Sequence, residues 1–210
     1  MAMELTHVRF AQDLKEVLNV QDDAAYYAGA VYPDSRYLTK IDRSLTHGGN
    51  SPRDPFTPGL SDFEKGWATH LFYDRNAHPQ YIALSPYSIE EAQQGNRVWQ
   101  FMSAAKIVED LQSYSVMNGN VEMMLNLSFP VYPNNEDSQI MRTYSAIQKT
   151  LYGHPPKIKD YRLFWTNLNG QSDVIDAVMK CTRDLLDNDD ARQRIQTIYS
   201  SVLNEILNNQ

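Results

Sequence analysis

The stretch that decides the fold is SDFEKGWATHLFYDRNAH, residues 61–78. It begins with Ser61 and, three residues later, Glu64, which is the pattern of a capping box whose two side chains satisfy backbone N–H groups in the first helical turn. We therefore predict a helix from Asp62 to about Asn76. Pro79 is expected to close it, because proline removes a backbone donor and clashes with the preceding turn.

One side of this predicted helix is apolar apart from two residues that can bind a metal ion. At about 100° per residue, that side carries Phe63, Gly66, Trp67, His70, Leu71 and Asp74. His70 and Asp74, four residues apart, project together from it. A buried carboxylate without partners is costly, so Asp74 needs a cation or several hydrogen-bond donors. Gly66 leaves room one turn earlier for a group to approach, and a metal ion is our leading candidate.

Composition excludes several classes of protein. The chain has 210 residues, of which 42% are hydrophobic and 21% charged, as in ordinary soluble globular proteins. Its net charge of −7 argues against binding of a nucleic-acid backbone, since such binders carry a basic patch. Cys181 is the only cysteine, so no intrachain disulfide can form. Without a signal peptide or a membrane-spanning apolar run, we expect a cytoplasmic protein with no membrane span.

The rest of the chain also predicts helices. Thr6 can cap a first helix over residues 7–18, and Asp22 a second one from Ala24 to about Tyr32, whose small residues permit close packing. Further helical segments are predicted from Ser88, over 96–117, 121–127 and 136–152, from Ser172 and from Asp189. Short alternating strand runs are missing. The sequence thus predicts one all-α domain, a multi-helix bundle over residues 1–210, with a metal site in 1–80 and structural helices in 88–210.

Four more polar residues are candidates, and each also has an ordinary explanation. His7 lies over the apolar face of the first helix, where a core histidine bonded to a carbonyl is common. Asp34 sits at the break after the second helix, where turn aspartates are frequent. His47 enters a loop rich in glycine and proline, where histidines are usually solvated. Glu109 lies at the border of the apolar face of the helix predicted over 96–117. It is either an extra metal ligand or an ordinary exposed helix carboxylate.

Taken together, His7, Asp34, His47, His70 and Asp74 form a ligand set within the first 74 residues. Imidazole with carboxylate suits zinc, manganese or iron, and the absence of thiolates argues against a structural zinc site. The set exceeds what one tetrahedral ion needs, but two ions sharing a carboxylate would use it. Such a pair, about 3.5–4 Å apart, activates water and stabilises the oxygens of a phosphoester.

Two segments resemble the zinc-dependent phospholipase C family. AGAVYPD, residues 28–34, is similar to its Gly-x-x-x-Pro-Asp segment, and FEKGWATHLFYD, residues 63–74, to its Gly-x-x-x-His-x-x-x-Asp helix. His7 and His47 match the family's early histidine and the one between the motifs. The resemblance covers about residues 5–80, and related single-strand nucleases share the all-α fold and the metal-binding cluster.

The resemblance implies roles for these residues. His47, His70 and Asp74 would bind one ion, and Asp34 would bridge to a second ion involving His7 and orient the attacking water. The family's late His-x-x-x-Glu pair is missing, because His154, the only histidine beyond residue 78, is followed four residues later by Ile158. We therefore expect one or two ions, zinc or else manganese or iron, and a small phosphoester as substrate. His78, Arg36 and Glu109 are assigned to the substrate pocket or to the surroundings of the ligands.

Two functions from different classes remain open at this point. The first is a metal-dependent phosphoric ester hydrolase with Asp34 as catalytic residue. A hydrolase of the related HD type, which is also all-α with His and Asp ligands, lacks support because the sequence contains no adjacent His-Asp pair. The second is a helical interaction or regulatory module with a degenerate metal site. The sequence also allows a metal-free structural role. A group of tyrosines near the site could line a substrate pocket or form a partner surface; it consists of Tyr26, Tyr27, Tyr32, Tyr37 and Tyr73.

Overall fold

A computed structural model describes residues 3–49, 51–87 and 96–208, and all regular structure within these ranges is helical, so the predicted all-α class is confirmed. The segments are α1 (Glu4–Leu14), α2 (Asp23–Val31), a 3-10 turn (Tyr32–Ser35), α3 (Arg36–Thr39), α4 (Arg43–His47), α5 (Asp62–Leu84), α6 (Arg97–Val116), α7 (Glu122–Leu125), α8 (Ser138–Tyr152), α9 (Ile158–Asn167), α10 (Ser172–Leu186) and α11 (Asp189–Asn208). The helix predicted from Ser88 falls outside the described residues. None of the described helices is both long and apolar enough to cross a bilayer.

The backbones of α2 and α5 touch where they cross, and two glycines make this possible. A methyl group on Gly66 would lie 1.9 Å from the Tyr26 carbonyl oxygen, and one on Gly29 would lie 2.0 Å from the Phe63 carbonyl oxygen. The close packing predicted for α2 is therefore confirmed. The interpretation of Gly66 as room for a metal ion is wrong, because the group that approaches it is the backbone of α2.

The predicted start of α5 is confirmed and its predicted end is wrong. The Glu64 N–H donates to Ser61 Oγ over 3.3 Å, and the Ser61 N–H donates to Glu64 Oε2 over 2.9 Å, which is the expected capping box. The helix does not stop near Asn76 but continues through Pro79 to Leu84. An interior proline costs about 3 kcal/mol. The fully buried Tyr81 offsets this cost, because its ring packs in the core and its hydroxyl donates to Glu109 on α6.

Helix α1 begins earlier than predicted because Thr6 is not its cap. Met3 occupies the cap position, and Thr6 lies inside the helix. Its backbone N–H and its hydroxyl instead both donate to Asp110 Oδ1 on α6, over 2.9 and 3.3 Å. This contact fixes the first turn of α1, and with it His7, against α6.

The apolar residues of both halves of the chain form one continuous core. Helix α5 packs against α2 and α11, and α6 packs against α10. Helices α10 and α11 contribute apolar side chains to this core, with Val178 and Val202 fully covered. Cys181 is partly buried, and burial raises the pKa of its thiol to about 11, so it is unreactive at neutral pH. One core of this kind agrees with a single helical domain.

Candidate metal centre

The structure brings all five predicted ligands to one place, which we call the histidine cluster: His7 from α1, Asp34 from the 3-10 turn, His47 from the end of α4, and His70 and Asp74 from α5. Two groups of three have ligand atoms within 4.8 Å of one another. One group is His7, His70 and Asp74, and the other is Asp34, His47 and His70. Residues distant in the sequence thus converge around the middle of α5.

Three imidazoles surround the carboxylate of Asp74. His7 Nε2 lies 3.6 Å from its Oδ1, and His47 Nε2 and His70 Nε2 lie 3.8 and 3.7 Å from its Oδ2. The rings of His7 and His70 stack with centroids 3.6 Å apart. The nitrogen–oxygen separations are longer than hydrogen bonds. They suit ligand atoms on different sides of an ion whose bonds are about 2 Å long.

A backbone contact sets the tautomer of His70, and a hydroxyl contact orients the ring of His47. His70 Nδ1 lies 2.8 Å from the carbonyl oxygen of Ala30, which can only accept, so Nδ1 carries the hydrogen and Nε2 has a free lone pair. His47 Nδ1 lies 2.8 Å from the hydroxyl of Thr46, which can in turn donate to the Arg43 carbonyl oxygen at 3.4 Å. Metal-binding histidines are commonly oriented by such contacts on the nitrogen that does not bind the ion.

Several buried atoms of the cluster have no hydrogen-bond partner among the described residues. They are both ring nitrogens of His7, both carboxylate oxygens of Asp34, and Nε2 of His70. Each unsatisfied buried polar group costs about 1–3 kcal/mol, so their concentration in one place calls for an explanation. A divalent cation would accept lone pairs from all three side chains. The donor set therefore fits a metal ion.

Burial sets the charge of the cluster. It lowers the pKa of His7 to about 3, holds the pKa of His70 well below its usual value, and lowers the pKa of His47, so the three imidazoles are neutral at pH 7. Burial and the charge of Asp74 raise the pKa of Asp34 well above its ordinary value. Burial acts to raise the pKa of Asp74 as well, but the positive charge of the amino terminus and the contact with His47 hold it well below the ordinary value. Neutral imidazoles are the form that binds a divalent ion, and Asp34 would bind one as a carboxylate after releasing its proton.

A surface cavity of about 430 Å³ reaches this cluster at His47 and Asp74. Its other lining residues are Arg43, Arg53, Leu71, Arg75, His78 and Pro79. This volume lies within the range of small-molecule sites, roughly 300–1,000 Å³. His78, predicted as a pocket residue, lies one helical turn beyond Asp74 and lines the cavity. A small molecule in this cavity can thus contact the cluster at His47 and Asp74.

Two other predicted residues lie elsewhere. Glu109 is 1% exposed, so it is not an exposed helix carboxylate, and it belongs to neither ligand group. Its oxygens accept hydrogen bonds from Tyr73, over 2.7 Å, and from Tyr81. Arg36 directs its guanidinium to its neighbour Tyr37, with Cζ 4.1 Å from the ring centroid, and does not line the cavity.

Three of the five tyrosines near the site do not have the role that the sequence indicated. Tyr26, Tyr32 and Tyr73 are fully buried, so they form neither a pocket wall nor a partner surface. The hydroxyls of Tyr32 and Tyr73 instead donate to the buried carboxylates of Glu136 and Glu109. Tyr27 and Tyr37 line two other surface cavities, not the one that reaches the histidine cluster. Sequence reasoning also missed the arginines of the cavity, because Arg43, Arg53 and Arg75 belong to different segments and share no motif.

Comparison with models of protein families, with curated proteins and with solved structures found no match to this chain. The resemblance to zinc-dependent phospholipases C over residues 5–80 therefore stays a prediction.

Proposed function

We propose that the protein is a metal-dependent phosphoesterase whose histidine cluster binds one or two divalent ions, zinc or else manganese or iron. The observation that carries this proposal is the group of partnerless buried atoms on His7, Asp34 and His70, converging with Asp74 beside an open cavity. A core histidine or a turn aspartate would have its hydrogen-bond partners within the fold. Among the described residues His7 and Asp34 have none, and His70 has one only on Nδ1, so its Nε2 is left without a partner.

The donor set supports a catalytic site over a structural one. Structural zinc sites are closed and rich in thiolates, whereas this cluster has only imidazoles and carboxylates and borders the cavity. A bound divalent ion lowers the pKa of a coordinated water to about 7 and neutralises charge on a phosphoryl oxygen. We assign Asp34 as the catalytic residue, because neither of its oxygens has a hydrogen-bond donor in the described structure, and one of them could orient the attacking water.

The reaction is hydrolysis of a phosphorus–oxygen bond. The oxygen of water forms a new bond to phosphorus, the bond to the leaving alcohol breaks, and the leaving oxygen takes up a proton. Arg75, which directly follows Asp74 on α5 and lines the cavity, favours an anionic substrate over a neutral ester or amide. The resemblance over residues 5–80 favours the same class of reaction.

The test combines measurement of the metal content with an assay of phosphoester hydrolysis. Protein freed of metal and reloaded with zinc, manganese or iron should hold about one or two ions per chain and hydrolyse bis-p-nitrophenyl phosphate. Metal at about 100 times its Kd should raise the free energy of unfolding by about 2.7 kcal/mol. His70→Ala and Asp74→Asn should abolish tight metal binding, whereas Asp184→Asn, a change at an exposed site on α10, should leave metal content and turnover unchanged.

Two results would refute the proposal in different ways. If the reloaded protein holds no metal above the level of the His70→Ala variant, the cluster is a structural feature of the core. If it holds metal but hydrolyses neither phosphomonoesters nor phosphodiesters, it belongs to an interaction or regulatory module with a degenerate site.

A further inference from the structure

Three arginines line the cavity outside the histidine cluster. Arg43 lies on α4 one helical turn before His47, so the two share a face of that helix. Arg75 directly follows Asp74 on α5, and Arg53 comes from the loop between α4 and α5. All three are exposed and reach the same cavity from different segments.

These arginines have no acidic partners in the described part of the chain. Arg162, Arg192 and Arg194, by contrast, each pair with an aspartate. Asp74 is the only acidic residue among the described residues that line the cavity, and it faces three imidazoles. In a chain with a net charge of −7, this gives one wall of uncompensated positive charge beside the candidate metal centre. Such a wall attracts anions and raises their local concentration.

We propose that the substrate is a small phosphoester carrying at least one further phosphate group, which Arg43, Arg53 and Arg75 bind while the first phosphate is hydrolysed at the histidine cluster. This inference rests on the proposed phosphoesterase function. The phosphoryl group under attack would be held by the ions that the histidine cluster binds, so it would not need three additional guanidinium groups. Arginines bind phosphate oxygens through paired N–H donors, and a second phosphate supplies the acceptors they lack.

The same lining disfavours two other phosphate-bearing ligands. A phospholipid needs an apolar surface for its acyl chains, but Leu71 and Pro79 are the only apolar side chains among the described lining residues. Single-stranded nucleic acid is usually bound by stacking on exposed aromatic rings, and the described lining contains no phenylalanine, tyrosine or tryptophan. A compact polyphosphorylated molecule fits both the charge and the volume.

The first experiment measures anion binding without turnover. Calorimetry on the metal-free protein, with chelator present and ionic strength fixed, compares inorganic phosphate with tripolyphosphate. We expect tripolyphosphate to bind at least about tenfold more tightly, since each added charge-assisted contact is worth about this factor. The double change Arg43→Gln/Arg53→Gln should remove this preference. Arg142→Gln, an exposed change on α8, should retain it.

The second experiment measures discrimination between substrates by the metal-loaded protein. We expect the arginine double variant to lower kcat/KM for a nucleoside triphosphate at least about tenfold. The same variant should change kcat/KM for p-nitrophenyl phosphate less than about threefold, because that substrate carries no second phosphate. Circular dichroism of the variant should match the unaltered protein, since both arginines are exposed.

The outcomes separate the two proposals. Arginine-dependent binding of tripolyphosphate without turnover of any phosphoester would refute the phosphoesterase function and leave the anion site standing. Turnover of bis-p-nitrophenyl phosphate, with equal affinity for phosphate and tripolyphosphate, would refute the polyphosphorylated substrate and leave the phosphoesterase. A higher kcat/KM for a short single-stranded oligonucleotide than for the triphosphate would also overturn the inference.

Discussion

Two polar clusters lie next to each other in the core, and they differ in how many of their buried polar atoms have hydrogen-bond partners. In the histidine cluster, several buried nitrogen and oxygen atoms have none in the described structure. The second, which we call the tyrosine cluster, satisfies its carboxylates completely with hydrogen bonds from protein side chains and backbone; it consists of Thr6, Tyr73, Tyr81, Glu109, Asp110, Tyr152 and Tyr161.

The hydrogen bonds of the tyrosine cluster account for every carboxylate oxygen. Asp110 Oδ1 accepts from the N–H and hydroxyl of Thr6, and its Oδ2 accepts from Tyr152 and Tyr161 over 2.9 and 2.7 Å. Both oxygens of Asp34 in the histidine cluster, by contrast, have no donor in the described structure. Burial of a carboxylate alone therefore does not distinguish the candidate site in this protein. Asp34 differs from Glu109 and Asp110 in being buried without a hydrogen-bond donor in the described structure.

The largest expected effect comes from removing the acceptor at the centre of the tyrosine cluster. Asp110→Ala leaves the hydroxyls of Tyr152 and Tyr161 and the Thr6 N–H without a partner, so the free energy of unfolding should fall by about 4 kcal/mol. Asp34→Asn should leave the metal-free protein as stable as before or about 1 kcal/mol more stable, because the raised pKa of Asp34 already reflects burial and repulsion by Asp74. Urea denaturation of both metal-free variants measures this contrast.

The proposed difference between the two clusters would be refuted if Asp34→Asn destabilised the metal-free protein as much as Asp110→Ala. That result would mean that Asp34 has a structural partner in solution. A matched control is Asp184→Asn, which changes an exposed carboxylate and should alter the free energy of unfolding by less than about 0.5 kcal/mol.

The pH dependence of stability gives the next largest effect. Burial raises the pKa of Glu109 from 4.5 to about 7, so between these values the folded protein binds a proton that the unfolded chain has lost. The proton bound by Glu109 therefore stabilises the folded protein by up to about 3 kcal/mol. This contribution is complete below about pH 4.5 and is lost as the pH rises to about 7. Glu109→Gln should remove this part of the decline between pH 5 and 8 in urea denaturation.

Glu4 and Asp110 also have pKa values raised by burial, to about 7 and about 6, so the protein as a whole should lose stability over the same range. The test is therefore the difference between the Glu109→Gln variant and the unaltered protein at each pH. Glu205→Gln on the exposed face of α11 is the control. A difference that stays constant from pH 5 to 8 would show that Glu109 does not titrate with a raised pKa.

The sequence predicted what is encoded locally and missed what depends on distant partners. Ser61 and Glu64 are three residues apart, and the start of α5 was predicted correctly from them. The end of α5 depends on Tyr81 reaching Glu109, 28 residues further along the chain, and no local pattern reports this bond. The sequence shows the small residues of α2 and Gly66 on α5 as two separate features. Only the crossing of the two helices reveals that these residues contact each other and not a ligand.

The candidate site shows the same difference between local patterns, which the sequence reveals, and contacts between distant residues, which it does not. His70 and Asp74 share a helix face, so their proximity follows from a spacing of four. His7, Asp34 and His47 could be joined to them only through the chemistry they have in common and the resemblance over residues 5–80. The arginine wall of the cavity had no signal of this kind, because an arginine in a loop or on an exposed helix face is ordinary in any sequence.

The smallest expected effect tests whether the two clusters are independent. Tyr73 belongs to the tyrosine cluster through its hydroxyl, which donates to Glu109 over 2.7 Å, while the edge of its ring contacts the ring of His7, with centroids 5.6 Å apart. Tyr73→Phe removes the hydrogen bond and keeps the ring. The free energy of unfolding should fall by about 1 kcal/mol, the usual worth of one such bond.

Metal affinity should change less than about twofold in Tyr73→Phe, because His7 keeps the packing that positions it and the histidine cluster takes no hydrogen bond from Tyr73. Metal titration of the variant against the unaltered protein, beside urea denaturation of both, measures the two quantities separately. A tenfold loss of metal affinity would mean that the bond from Tyr73 to Glu109 positions His7. The tyrosine cluster would then be part of the metal centre, and its carboxylates would have to be counted among the residues that tune the site.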